Sequence, residues 1–421
     1  MKERAYRGPF YGWRVVGMAL AIYTISYGMS TIFAVFLKPL ALEFGWTRGM
    51  ISSAYSINQI TFGLFALISG ALSDRYGVRK ILLINGIIYG AGLMLISRTS
   101  SLWNLYLFYG VIVGLGYGSL TVPSATSVTR WFEKRRGIAV GITQSGLGIG
   151  TLILSPLAAY LIYNFGWRNS YIIFGLITLA VLIPASLFFK DKPSDLGLTA
   201  YGAEDAAEGR TPLPAAAVEG RIDGREAAKT RPFWFLNTIH FTDCICHSII
   251  LVHIVAYLTD IGFHPATAAS VLGVAGASAA AGTITSGALT DRIGGRNALR
   301  AALICQLITV SMLMFSRDLW LMYVLAIFFG MGLGGLITPY PVLTREYFSE
   351  SAAGTIYGAQ LTCGTAGMAL GGFLGGYLFD ISGDYRIAFT VSLSAGVVAL
   401  FVGLLLKAPT GEPRAVVSLQ P

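Results

Sequence analysis

The sequence predicts an all-α membrane protein of twelve transmembrane helices arranged as two six-helix, pseudo-symmetric bundles. Three observations predict it: twelve long apolar runs, a polar segment midway along the chain, and a repeat that relates the two halves. Of the 421 residues, 54% are hydrophobic and 12% charged, and the mean hydropathy is +0.65. A water-exposed surface needs more charge than that, so most of this surface faces an apolar medium.

Crossing a hydrocarbon core of about 30 Å at about 1.5 Å per residue takes some twenty apolar residues. Runs of that kind lie near 13–37, 51–73, 81–97, 103–128, 137–163 and 169–189. Six more lie near 233–258, 266–289, 297–315, 319–343, 353–379 and 385–406. The first follows a basic N-terminus without a small-residue cleavage site, which marks a spanning helix rather than a removable signal. The predicted organisation is an N-terminal bundle over 1–189, a cytoplasmic linker over 190–231 and a C-terminal bundle over 232–421. The linker, rich in Ala, Gly, Glu and Arg and without apolar periodicity, reads as flexible.

The net charge of +9 is banded between apolar runs, which is a membrane pattern and excludes a nucleic-acid partner. With the N-terminus inside, only Lys38, Arg48, Arg98, Arg168, Arg317 and Arg386 of the 30 basic residues fall outside. The positive-inside rule then puts both termini in the cytoplasm, and the chain is expected to be multi-pass in the inner (plasma) membrane. Cys244, Cys246, Cys305 and Cys363 all lie in apolar runs, so no disulfide framework is expected.

The halves repeat at an offset of about 217 residues. GALSDRYGVRK at 70–80 returns as GALTDRIGGRN at 287–297, each joining the second and third helices of its half. GLGYGSLTVPSATSVTRWF at 114–132 returns as GMGLGGLITPYPVLTREYF at 330–348. Parallel repeats place a pathway at their interface, where rocking one half against the other exposes it to each side in turn. In the loops, Asp74, Arg75, Asp291 and Arg292 are candidates for conformation-dependent ion pairs that gate its mouth.

The loop string and its copy, with the twelve spans and the central linker, resemble the major facilitator superfamily over essentially the whole chain. FYGWR at 10–14, VFLKPLALEFGWTR at 35–48, RWFEKRRGIAVGI at 130–142 and GWR at 166–168 resemble its monocarboxylate transporter and oxalate/formate antiporter branch. In that branch organic-anion transport is associated with an arginine in the eighth helix, and in some members with lysines in the first and eleventh. Here Thr283, Thr31 and Cys363 stand at those places. The resemblance implies transport of a small organic solute by alternating access, a monocarboxylate or related organic acid, through a cavity lined by the first, fourth, seventh and tenth helices.

The titratable groups at membrane depth lie on the seventh helix, in NTIHFTDCICHSIILVHIVAY. At about 100° per residue, His240, Asp243, Cys244 and His247 fall within an arc of roughly 100°, and His253 points elsewhere. Buried charge needs a cation or proton to offset it, and histidine titrates near neutrality. The face reads as a proton relay or a cation-sensitive contact, as polar glue between helices, or as ligands for zinc or copper; no resident metal is expected. Polar groups elsewhere in the spans include Tyr27, Ser30, Asn58, Gln59, Tyr117, Gln144, Gln360 and Thr362, of which Tyr117 is the leading neutral contact. No nucleotide loop, catalytic triad or metal-enzyme motif occurs, so an enzyme and a cofactor are not expected. The partners expected are the solute, protons and the bilayer, with a monomer as the working unit. An exporter of amphipathic compounds and a non-transporting solute sensor are the alternatives.

Overall fold

The computed structural model describes residues 10–203, 224–348 and 350–407. The first span is α1 (Tyr11–Thr31) followed after Ile32 by α2 (Phe33–Phe44). Next come α3 (Arg48–Tyr76) and α4 (Val78–Ile96). The fourth span opens with the short α5 (Leu102–Leu105), passes through a π-helical stretch, Tyr106–Val113, and ends as α6 (Gly114–Trp131). The expected fifth and sixth spans make up α7 (Arg136–Phe188), two helical segments that meet at Gly166, where φ 74° and ψ 161° break the helix. After the short α8 (Gly224–Ala227) come α9 (Arg231–Asp260), α10 (Pro265–Ile293) and α11 (Gly295–Leu313). The tenth span is α12 (Leu319–Gly335) and α13 (Pro339–Tyr347), and the chain continues through α14 (Glu350–Ser382) and α15 (Arg386–Leu405).

Among the described residues, nine helices or helix pairs are long and apolar enough to cross a membrane. With α7 divided at its bend and α11 and α14 added, the series is consistent with twelve. Phe315 and Trp320 are 85% and 76% exposed, a surface suited to lipid and its interface.

Local chemistry ends the helices where the repeat requires a turn. Gly77 and Gly294, equivalent in the two copies, take φ 85° and 80° and return their N–H groups to Ser73 and Thr290. A side chain there would strain the backbone, so glycine fits. Thr47 caps α3 by accepting from the N–H of Met50.

In lipid, helices associate by close packing rather than by apolar burial, and small residues permit it. In α7, Gly150 faces α1, and a Cβ on it would sit 2.1 Å from the Thr24 carbonyl oxygen. Gly148 faces α10, where a Cβ would lie 2.2 Å from the Gly276 oxygen. The helices before residue 190 therefore meet those after 230 along α7 with α10 and along α3 with α14.

One expectation is corrected. Residues 190–203 of the linker are packed rather than loose: Trp131 donates its indole N–H to the Lys190 carbonyl at 3.0 Å, and Tyr201 bridges to Phe132. Asp191 binds Arg130, and Phe10 lies against Tyr201, so an ion pair and an aromatic cluster hold the segment. Residues 204–223 lie outside the described residues.

Candidate functional site

A cavity of about 680 Å³ lies between the two sets of helices. It begins near mid-depth, at Tyr27, Tyr55 and His247, and extends past Leu67, Gly70, Thr126 and Gly358 towards the end bearing the basic loops. We call this the basic end.

Its wall is aromatic and uncharged apart from one carboxylate. The rings of Tyr27 and Tyr117 meet edge to face at 5.1 Å, and Tyr117 stacks on Phe62 at 4.2 Å. These contacts bring α1, α3 and α6 together. On the facing wall, α9 presents His240, Asp243, Cys244 and His247, the face predicted from helical spacing. The His240 ring stacks on Tyr340 at 4.2 Å. His247 Nδ1 stands 3.6 Å from Asp243 Oδ2, beyond hydrogen-bond reach, and its Nε2 lies 3.0 Å from the Met368 sulfur. Both side chains are buried, and Asp243 Oδ1, His247 Nδ1 and His240 Nδ1 have no hydrogen-bond partner. Ligand atoms of Asp243, Cys244 and His247 come within 4.8 Å of one another, so this turn is also a candidate metal-binding group. Among the described residues lining the cavity, Asp243 is the only Asp, Glu, Lys or Arg.

Tyr27, Tyr117, Gln144, His240, Asp243 and His247 thus share one cavity. Thr283, Gln360 and Cys363 do not line it. Thr283 is buried and bonds back to the Ala279 carbonyl at 2.9 Å; Gln360 is fully buried and accepts from Thr344 at 3.2 Å; Cys363 is half-buried on α14. Thr283 and Cys363 were placed by a family pattern and Gln360 by its polarity within a span, whereas packing here leaves all three out of the cavity lining. Of the loop charges, Asp74 pairs with Arg130 at 2.9 Å, while Arg75 lies 5.3 Å from the Tyr76 ring centre. Among the described residues, neither Asp291 nor Arg292 forms an ion pair.

The other end of the cavity is shut by a polar latch that the sequence reading missed. Arg48 grips Asp260 with its two terminal guanidinium nitrogens, at 2.5 and 2.9 Å, and donates to the Tyr385 hydroxyl at 2.8 Å. Its guanidinium also lies 3.7 Å from the Phe379 ring centre. Lys38 adds a 3.0 Å pair to Asp260. Asp380 accepts the N–H groups of Arg48 and Gly49 at 2.9 and 2.7 Å, a carboxylate bound at the start of α3. Behind this, His253 Nε2–H donates to the Gly372 carbonyl at 2.9 Å, which leaves Nδ1, at 3.1 Å, to accept from Tyr385. A signal was available: Lys38 and Arg48 are two of the six basic residues assigned outside, and acidic partners stand at the same end of other helices.

The chain matches the model of the Major Facilitator Superfamily over residues 19–372 and again over 236–420. It is 30% identical over 388 residues to monocarboxylate transporter 13 of Rattus norvegicus, covering 91% of this chain and 86% of that one. It is 26% identical to the uncharacterized MFS-type transporter YcxA of Bacillus subtilis (strain 168), with 94% of each covered. In fold it is similar to a bacterial homolog of the human lysosomal transporter Spinster, with a TM-score of 0.72 at 16% identity and coverage of 94% and 96%. The nucleoside transporter NupG gives 0.71 at 14% identity, with coverage of 92% and 99%. The chain is therefore a multi-pass membrane protein that belongs to the Major Facilitator Superfamily, within its monocarboxylate-transporter-like branch.

Proposed function

We propose that this protein is a secondary carrier that moves a small organic acid by alternating access, with protons coupled through the His240, Asp243 and His247 face of α9. The observation that carries the reading is one cavity between two sets of helices, latched at one end and extending to the other. On this reading the units are 1–189 and 232–421, joined by 190–231, and the basic end faces the cytoplasm with both termini. The protein sits in the inner membrane in an inward-open state, and a single chain is the working unit.

Opening the other side means releasing Arg48 from Asp260 and Asp380 while the basic end closes, with Asp74, Arg75, Asp291 and Arg292 meeting new partners there. Tyr27, Tyr117 and Gln144 offer hydrogen bonds to the solute. The organic-acid assignment is supported by the relatives named as monocarboxylate transporters. A proton on the α9 face neutralises buried charge in one state and leaves in the other as water access changes sides.

Counterflow in proteoliposomes tests the carrier reading. Vesicles loaded with an unlabelled short-chain carboxylic acid should take up the labelled compound transiently above equilibrium, whereas saturable binding without exchange would make the protein a sensor. An inward proton gradient should add net accumulation, and His247→Gln should shift its pH dependence while exchange continues. Accumulation with an unchanged pH dependence in that variant would remove His247 from the coupling path.

A further inference from the structure

An anion in this cavity would meet no fixed positive charge among the described residues that line it. Lys38 and Arg48, beyond its shut end, are committed to Asp260, and Arg130, at the basic end, to Asp74 and Asp191. What the cavity holds instead is a negative pole. Asp243 exposes 3% of its side chain, its Oδ1 has no hydrogen-bond partner, and its Oδ2 stands 3.6 Å from His247, too far to be satisfied by it. A buried carboxylate with an empty acceptor is costly unless a positive or hydrogen-donating group completes it.

The surrounding wall has the matching character. Six tyrosines line the cavity with Phe33 and Phe62. The faces of such rings carry partial negative charge and attract ammonium and guanidinium groups. Tyr117, braced by Tyr27 and Phe62, is held in position without help from a ligand. The volume of about 680 Å³ is that of a site for a small organic molecule. A lone metal ion on Asp243, Cys244 and His247 would leave most of it unused.

Taking the cavity as the transport site proposed above, we infer that the transported acid also carries a positively charged nitrogen, which seats against Asp243 within the tyrosine rings. The solute class is then zwitterionic: an amine-, guanidine- or quaternary-ammonium-bearing carboxylate. Its carboxylate end falls to the neutral donors of Tyr27, Tyr117 and Gln144.

Isosteric pairs isolate the nitrogen charge. Trimethylglycine and tert-butylacetate differ in shape only by nitrogen for carbon, as do β-alanine and butanoate. Calorimetric titration of the full-length protein in nanodiscs should show the nitrogen member of at least one pair binding tighter by about tenfold or more. Asp243→Asn should erase that preference, and Asp243→Glu, which keeps the charge, should retain part of it. Tyr117→Phe, which keeps the ring, should bind better than Tyr117→Leu.

Equal binding within both pairs, no binding by either, or a preference that survives Asp243→Asn overturns the inference. So does zinc binding that is lost in Cys244→Ser while the nitrogen compounds have no effect, which would assign the cluster to a metal. Counterflow of the same compounds separates this inference from the carrier reading. Exchange of butanoate and tert-butylacetate with no nitrogen preference leaves a carrier and removes the negative pole. Asp243-dependent binding of the nitrogen compounds without exchange keeps the pole and removes the carrier.

Discussion

At the latched end, charged groups reach across from one set of helices to the other; at the basic end, they hold their own neighbours. Arg48 and Lys38 precede residue 190, and their partners Asp260, Asp380 and Tyr385 follow residue 230. Asp74 and Arg130 belong to the first set, and Asp191 to the linker segment packed against it. The latch therefore couples the two sets and resists their separation, whereas the basic-end triad stiffens one set without fixing its distance from the other.

The repeat sharpens the contrast. Aligning Phe132 with Phe348 sets Glu346 opposite Arg130, and the same register sets Lys407 opposite Asp191. The uncharged anchor survives in both copies: Trp131 donates to the Lys190 carbonyl, and Tyr347 donates to that of Lys407. The ion triad survives in one only, because Glu346 cannot pair with Asp291 as Arg130 does with Asp74. Backbone anchoring and charge have thus diverged separately.

The largest expected effect is at the latch. Arg48→Gln removes a bidentate pair that is only partly exposed, and should bias the equilibrium between conformations by about 1–2 kcal/mol. A cysteine placed at Tyr27 in a background without native cysteines should then be labelled about tenfold faster by an impermeant thiol reagent added from the Arg48 side. An unchanged rate would mean that packing, not the latch, keeps that end shut.

Next in size is the close approach of α7 and α10. Gly148→Val must push the helices apart and should lower stability by about 1–3 kcal/mol in a thermal melt. Gly141→Val, where no atom lies within 4 Å of the added Cβ, should leave the melt in place. If the two variants behave alike, the Gly148 contact is not a close-packed joint.

Arg130→Gln strips the counter-ion from Asp74 and Asp191 and should cost about 1 kcal/mol or less, given the exposure of the pair, with thiol labelling from either side unchanged. Altered labelling would show that the triad acts between the sets after all. The smallest effect belongs to Asp291→Asn, expected within about 0.5 kcal/mol of the parent because no ion pair is lost among the described residues. Glu346→Arg should add stability of about that size by giving Asp291 a partner, and Asp291→Asn should cancel the gain.

The parts legible in the sequence were those governed by local periodicity. Apolar run length located the spans, and the spacing of His240, Asp243 and His247 placed them on one cavity-facing surface of α9. The latch depends on contacts such as Arg48 to Asp380, 332 positions apart, which only the meeting of two helix sets creates. Thr283 and Cys363 were nominated by correspondence with a family pattern and Gln360 as a polar group within a span; Thr283 bonds to its own helix, Gln360 accepts from Thr344 on α13, and Cys363 does not line the cavity. The break between the fifth and sixth spans was legible as the interval between the apolar runs 137–163 and 169–189, and it falls at Gly166.

His253 gives the molecule a built-in spectroscopic reporter. Both ring nitrogens are engaged, with the Nε2–H form imposed by the Gly372 carbonyl, while Tyr385 joins the ring to Arg48. The chain has only 4 histidines, so nitrogen-15 labelling of histidine yields a spectrum sparse enough to assign. Release of the latch frees Tyr385 and alters the Nδ1 environment. The His253 signal should therefore divide into two populations whose ratio follows the conformational equilibrium, with no foreign label attached to the protein.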